Sequence, residues 1–210
     1  MNPHVGVLDY GMGNLRSVAK ALETSGAQVF VSNKIRLLEK ADLLVVPGVG
    51  AFDAAMSVLR SAKLDGFIRD WVKAERPFLG ICLGLQLLFE SSEESPGTKG
   101  LGLLAGRVVR FRPKDRALKV PHMGWNAVRP VGAVGKELKS VLSGPEKFYF
   151  VHSFYPRPDD AGLVWTKTPY EKLFCSSVAR GKLVATQFHP EKSGPAGLKL
   201  LKSLLRFLVV

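Results

Sequence analysis

Cys82 lies in the stretch GICLGLQLLFE, residues 80–90, where almost every other side chain is apolar. A thiol in such a place is either a small buried hydrophobe or a nucleophile. Gly80 and Gly84 flank it at minus two and plus two. A G-x-C-x-G stretch between an apolar strand and a helix matches a nucleophile elbow, in which small neighbours permit a sharp strand-to-helix turn. The turn would lift the thiol above the sheet edge. It would set the sulfur at a helix N-terminus, which favours thiolate over thiol. The backbone N–H of Leu83, unpaired in the first helical turn, would then face a developing oxyanion. Gln86, four residues on, shares that face and could touch a substrate. Taken alone, the stretch leaves the buried cysteine and the nucleophile level.

A cysteine nucleophile needs a base, and the base needs an orienting group. The four histidines are His4, His122, His152 and His189. His4 opens the first apolar run, and neither His122 nor His152 has a carboxylate nearby in sequence. His189 lies in QFHPEKSG, with Glu191 two residues on and Pro190 between them. In an extended segment both side chains point the same way, and the proline forbids helix. A carboxylate there can hold the imidazole and set its tautomer. The alternative for this segment is an exposed turn at a strand end. Cys82, His189 and Glu191 together make a nucleophile, base and orienting carboxylate, and each segment strengthens the other. In VVPGVGAF, residues 45–52, the backbone of Gly48, Val49 and Gly50 follows a third apolar run and could approach a ligand closely. A plain strand-to-helix turn would explain those glycines equally.

These residues need a scaffold. Apolar runs at 4–10, 27–32, 42–48 and 77–81 alternate with helical patterns at 14–26, at a region after 48 broken near Gly66, and at 83–93. Such alternation implies crossover units and a mainly parallel sheet with helices on both faces, an α/β fold of flavodoxin-like type. Ligands of such sheets sit beyond the carboxyl ends of the strands. The second half adds antiparallel strands: GRVVRFRP, KFYFVHSFYP, and a hairpin in EKLFCSSVARGKLVATQF that turns at Arg180-Gly181-Lys182. A closing helix carries Ser193 as cap, Pro195 near its first position, and a stripe of Leu198, Leu201, Leu205 and Leu208. Docking of that stripe on the sheet is favoured over a membrane-surface helix. The glycines of DYGMGNLR imitate a dinucleotide fingerprint, but Arg16 stands where its third glycine belongs.

At 210 residues the chain reads as a single domain, 1–210. No signal peptide or membrane-length apolar run is present, which predicts a soluble, cytoplasmic protein with no membrane partner. Two distant cysteines form neither a disulfide framework nor a metal site. The net charge of +12 lies entirely in residues 106–210, densest in RVVRFRPKDRALK, residues 107–119. That stretch reads as a half-exposed edge strand rather than a nucleic-acid surface, since it lacks any recognisable binding pattern.

PGVGAF (47–52), GICLGLQLLFE and FHPE (188–191), in that order, resemble the class I, triad-type glutamine amidotransferases over essentially the whole chain. YGMGNL (10–15), VPHMGWN (120–126), YFVHSFY (149–155) and FHPEKSG (188–194) resemble, more narrowly, the glutaminase subunits of imidazole glycerol phosphate synthases in histidine biosynthesis. The resemblance implies a Cys82-His189-Glu191 triad that hydrolyses glutamine, with Leu83 and the 48–50 turn as oxyanion donors. It implies that Gln86, Glu94 and the backbone of His152, Ser153 and Phe154 grip the glutamine, without metal or organic cofactor. Phe154 stands where a tyrosine is usual. It also implies a heterodimer with a separate (β/α)8-barrel cyclase that receives the ammonia, with Asn14, Met123, Trp125 and Lys192 at the interface. The PHMGWN stretch reads as an exposed loop suited to that contact, though a buried tryptophan would read the same. The rivals are a glutaminase of another pathway, such as anthranilate or pyridoxal phosphate synthesis, and a non-catalytic nucleic-acid-binding protein.

Overall fold

The computed structural model describes residues 2–132, 134 and 138–209. Its first half alternates strand and helix: β1 (His4–Leu8), α1 (Leu15–Thr24), β2 (Gln28–Ser32), α2 (Ile35–Leu38), β3 (Leu43–Gly48), α3 (Phe52–Ser61), α4 (Leu64–Lys73), β4 (Phe78–Cys82) and α5 (Leu83–Gln86). Short β5 (Ser91–Ser92) and β6 (Gly106–Arg110) follow, then β7 (His122–Pro130), β8 (Glu146–His152), β9 (Phe154–Pro158), β10 (Val164–Pro169), β11 (Leu173–Arg180), β12 (Leu183–Thr186) and α6 (Gly194–Val209).

Nine strands form one sheet in the order β2-β1-β3-β4-β12-β11-β10-β7-β8. The first five run parallel, as the crossover reading requires, and the remaining four continue the sheet antiparallel. Alternation along the buried strands divides the core in two. Val5, Val7, Val45, Leu79 and Ile81 face α1 and α6 through Val18, Leu22, Leu200 and Leu204. Leu8, Leu44, Val46 and Phe78 face α3 and α4 through Phe52, Met56, Ile68 and Trp71. Each such side chain contributes about 1.5–3 kcal/mol by leaving water, so the parallel strands that carry the site are anchored from both faces.

The two-residue hairpin turn at Gly181-Lys182 joins Arg180 to Leu183 as expected. Other elements depart from the sequence reading for identifiable reasons. The helix expected over 83–93 stops at Gln86. The carbonyls that would carry it further are taken by a returning loop: Leu101 N–H bonds Leu87 O at 2.8 Å, and Leu103 N–H bonds Leu88 O at 2.9 Å. Leu87, Leu88 and Phe89 are fully buried under that loop, so no solvent face exists for a longer amphipathic helix. The break after α3 comes at Lys63, with φ 57, and Gly66 lies inside α4. KFYFVHSFYP is two strands, since the chain changes sheet at Ser153 and β9 joins β5 and β6 in a three-stranded sheet. In that sheet β6 is central, and the basic stretch leaves strand structure after Arg110. PHMGWN is no loop but most of β7, paired with β8 from His122↔His152 to Val128↔Glu146.

α6 docks on the sheet, and its buried stripe runs through Leu200, Leu201, Leu204, Leu205 and Leu208. Leu198, expected in that stripe, is only partly buried. Ser193 does not spend its hydroxyl on the helix it precedes. It donates to His189 O at 2.6 Å and accepts from Tyr149 N–H at 3.0 Å. Among the described residues no helix is long and apolar enough to cross a membrane.

Candidate active site

The parallel strands deliver four loops to one edge. β4 ends at Cys82, whose backbone sits at φ 55 and ψ −106. A non-glycine residue in that region carries about 1–3 kcal/mol of strain, and the surroundings enforce it. A Cβ added at Gly84 would overlap the carbonyl of Val46, and one at Gly80 would come within 2.9 Å of Gly84 O. The two glycines therefore let the turn press against β3 and β12, as the elbow reading requires. Cys82 is 6% exposed. Its partner in register on β3 is Gly48, which starts the PGVG turn directly beside the sulfur-bearing residue.

β12 leads into His189, and the turn Pro190–Lys192 follows immediately. His189 Nδ1 and Glu191 Oε1 are 2.8 Å apart, with both side chains almost fully buried. The other ring nitrogen, Nε2, is buried and has no hydrogen-bond partner among the described residues. Burial alone would lower the affinity of His189 for a proton. The nearby Cys82 sulfur, with the hydrogen bond and charge of Glu191, outweighs it and raises the imidazole well above its ordinary value. A thiol, an imidazole and a carboxylate in series are the parts of an activated cysteine nucleophile. His189 is fixed from behind by its own N–H bonded to Tyr149 O at 2.9 Å and by the Ser193 hydroxyl on its carbonyl.

The residues expected to face an oxyanion are Leu83, the first residue of α5, and the turn Gly48-Val49-Gly50 after β3. Gly50 takes φ 112, which only glycine adopts at low cost, and Val49 is 39% exposed. Tyr10, from the loop after β1, donates its hydroxyl to Pro47 O at 2.9 Å and fills the space a side chain at Gly48 would need. Burial first, and then the charge of Cys82, hold this phenol far above its usual range.

The residues expected to grip a substrate are brought near, but several are engaged inward. Gln86 is 5% exposed rather than free above the sheet. Its Nε2 donates to Phe154 O at 3.1 Å and to Gln187 Oε1 at 3.2 Å. The His152 ring is turned into the core, with Nδ1 2.8 Å from Phe154 O and Nε2 3.1 Å from His122 Nδ1. It presents no ring atom for binding, which leaves only the backbone of this segment for that role. Glu94 accepts from Phe52 N–H at 2.9 Å and so supplies the cap that Ala51 cannot give to α3. Ser153, at the joint between β8 and β9, is partly exposed, and its carbonyl accepts from Phe111 N–H at 3.0 Å.

The four residues expected at a partner interface lie on the surface around the Pro190–Lys192 turn. Met123 and Trp125 are 62% and 55% exposed and share one side of β7, so Trp125 is not a core residue. Trp125 pairs in register with Tyr149, whose carbonyl holds His189. Asn14 is exposed and caps α1 through Ser17 N–H, and α1 packs against the turn that carries exposed Lys192. Sequence reasoning did not single out Gln187, which is fully buried and donates its Nε2 to Cys82 Sγ at 3.7 Å. Its only sequence signal is an amide two residues before the histidine, at the end of an apolar strand.

Burial of His152 makes a pH prediction. Desolvation first, then the neighbouring charges of His122 and His189, bring it from 6.5 to about 3. The folded value lies below the unfolded one, so this stability is present above pH 6.5 and is lost as pH falls towards about 3. Urea unfolding should show about 2–3 kcal/mol lost through this residue between about pH 6.5 and 4.5. His152→Asn should remove that part of the pH dependence. An equal slope in the variant would refute the assignment.

The family of class-I glutamine amidotransferases matches residues 6–206. The imidazole glycerol phosphate synthase subunit HisH of Nitrosococcus oceani is 49% identical over 203 residues, covering 96% of each chain. The HisH subunit of Aquifex aeolicus is 48% identical over 204 residues, covering 95% of each. A solved structure described as a glutamine amidotransferase superposes with a TM-score of 0.75, at 23% identity, over 98% of this chain and 99% of the other; that likeness concerns the fold. With a strained Cys82 beside a buried His189–Glu191 pair, and with relatives matched end to end at nearly half their residues, the chain belongs to the class I glutamine amidotransferases, in the group formed by the HisH subunits of imidazole glycerol phosphate synthases.

Proposed function

We propose that this chain is the glutamine-hydrolysing subunit of an imidazole glycerol phosphate synthase and supplies ammonia to a cyclase subunit. The observation that carries the chemistry is Cys82 in a strained elbow beside the His189–Glu191 pair. The thiolate of Cys82 attacks the carboxamide carbon of glutamine. A C–S bond forms, and the carbonyl electron pair moves onto oxygen. Leu83 N–H and an N–H of the Gly48-Val49-Gly50 turn receive that oxyanion once the turn rearranges. His189 gives its proton to the departing nitrogen, the C–N bond breaks, and ammonia leaves a glutamyl thioester. Water then adds to the thioester, His189 takes its proton, the C–S bond breaks, and glutamate departs. Glu191 keeps the imidazole in register through both half-reactions. Gln86, Glu94 and the backbone of His152, Ser153 and Phe154 hold the glutamine.

Ammonia that escaped at neutral pH would protonate and cease to be a nucleophile. Its receiver is a (β/α)8-barrel cyclase, docked as a heterodimer over Asn14, Met123, Trp125 and Lys192. There ammonia reacts with a phosphoribulosyl-formimino carboxamide nucleotide to give imidazole glycerol phosphate and an aminoimidazole carboxamide ribonucleotide. Residues 1–210 act as one amidotransferase domain in the cytoplasm. Two exposed large apolar side chains on one side of β7, next to the strand that backs His189, support this surface as the contact. The test is glutamate release by the purified chain, alone and with a barrel cyclase and its nucleotide ligand. Release that requires both is the expected result. Brisk release by the chain alone would overturn the partner-gated reading and favour a glutaminase of another pathway.

A further inference from the structure

We propose that Gln187 is a positioning residue for the Cys82 thiolate, its amide aimed at the sulfur by hydrogen bonds that run from the Phe154 carbonyl through Gln86. Donors converge on the Phe154 carbonyl from two sides. Asn126 Oδ1 accepts from Ala127 N–H at 2.8 Å, and its Nδ2 donates to Pro169 O at 2.6 Å, so the amide cannot be turned over. That Nδ2 lies 3.1 Å from His122 Nε2, which must therefore accept. The proton of His122 is then on Nδ1 and is donated to His152 Nε2 at 3.1 Å. The proton of His152 is on its own Nδ1 and goes to Phe154 O at 2.8 Å. The same carbonyl accepts from Gln86 Nε2 at 3.1 Å, which orients Gln86. The Gln86 Nε2 also meets Gln187 at 3.2 Å, so the atom of Gln187 on that side is its oxygen. One atom is left to face the sulfur, and it is the donor, Nε2, at 3.7 Å from Cys82 Sγ.

Burial lowers His122 to about 4 and His152 to about 3, so their ring–ring hydrogen bond joins two neutral imidazoles behind the Phe154 carbonyl. The rings are packed among Phe111, Phe150 and Phe174, which excludes alternative partners. A buried amide that points its N–H at sulfur stabilises S⁻ more than S–H, because a thiol has little to offer a donor. The other titratable groups facing the sulfur are Tyr10 from the loop after β1 and His189, backed by Glu191, from the segment after β12. Tyr10 is a neutral phenol at working pH, so the sulfur is held by one cation and one directed amide.

This inference rests on Cys82 being the nucleophile, and the experiment separates the two. The rate of Cys82 carbamidomethylation by iodoacetamide is followed against pH in the purified chain, with the modified site read by mass spectrometry. Cys175, the other cysteine, is buried with its thiol pushed up to about 12 and serves as an unreactive internal control. Gln187→Met keeps the length and removes the donor. Its midpoint should move to higher pH, with the rate near neutral pH about tenfold lower and the high-pH plateau unchanged. Gln187→Glu keeps the acceptor for Gln86 and puts an oxygen against the sulfur. It should move the midpoint the same way and further, and it serves if the methionine variant does not fold. An unmoved midpoint in whichever variant melts like the wild type would overturn the proposal. Glutamine hydrolysis that survives Cys82→Ala would instead sink the nucleophile reading beneath it.

Discussion

Cys82→Ala is expected to lower glutamine hydrolysis by about 10⁴-fold or more, to the level that binding and oxyanion stabilisation alone sustain. The reasoning is local. The thiol is the only nucleophile that the elbow presents, and alanine leaves the carboxamide with no atom to form a covalent intermediate. Folding should survive, because the substitution removes one sulfur from a residue already confined by β3 and β12. The lost partner is a single long contact from Gln187. Assayed as glutamate release in the complex with a cyclase, a residual rate above about a tenth of wild type would mean a water-based mechanism and would remove Cys82 from the centre of the chemistry. Cys82→Ser sharpens the comparison. The hydroxyl fits the same space, but its proton is far harder to remove, so the imidazole cannot hold it as an anion.

What was legible in the sequence and what was not divides along one line. The elbow and the His189–Glu191 pair could be read because each is local. Two glycines around a cysteine and a proline between a histidine and a glutamate fix backbone angles within a few residues. The alternating first half could be read for the same reason, since burial on both faces of β3 and β4 writes itself as unbroken apolar runs. Contacts that join distant segments left no such mark. Gln187 reaches Cys82 across 105 positions and Gln86 across 101. The fate of residues 87–93 depends on a loop near residue 101 that claims their carbonyls. A periodic pattern predicts a helix there, and tertiary hydrogen bonding overrides it. PHMGWN reads as a loop because of its proline and glycine, yet pairing with β8 makes it a strand. The expected exposure is unchanged, because alternate residues of a strand still put Met123 and Trp125 on one exposed side.

Glu191→Gln is expected to lower glutamine hydrolysis by about a hundredfold and to narrow the pH range of activity from the alkaline side. The carboxylate touches no reacting atom; it acts through His189, at 2.8 Å from Nδ1. A glutamine of the same shape can still accept from Nδ1–H, or it can turn its amide and donate, which would force the wrong tautomer. In either case a negative charge disappears from behind the imidazole. His189 is held above its ordinary value by Cys82 and by Glu191, against burial that lowers it. Without Glu191 the burial contribution gains, the imidazolium loses its proton at lower pH, and the thiolate loses its counter-charge with it. The sign follows from that order. A base whose affinity for the proton is raised stays charged until pH climbs through its folded value, so lowering that value brings the alkaline loss of activity to lower pH. The loss should fall mainly on kcat, since the carboxylate lies behind the ring and away from the glutamine, with KM changed little. The effect is smaller than for the nucleophile because sulfur and imidazole still attract each other across the site. A pH profile of glutamate release that superposes on the wild type after scaling would show that Glu191 only orients the ring and does not set its charge.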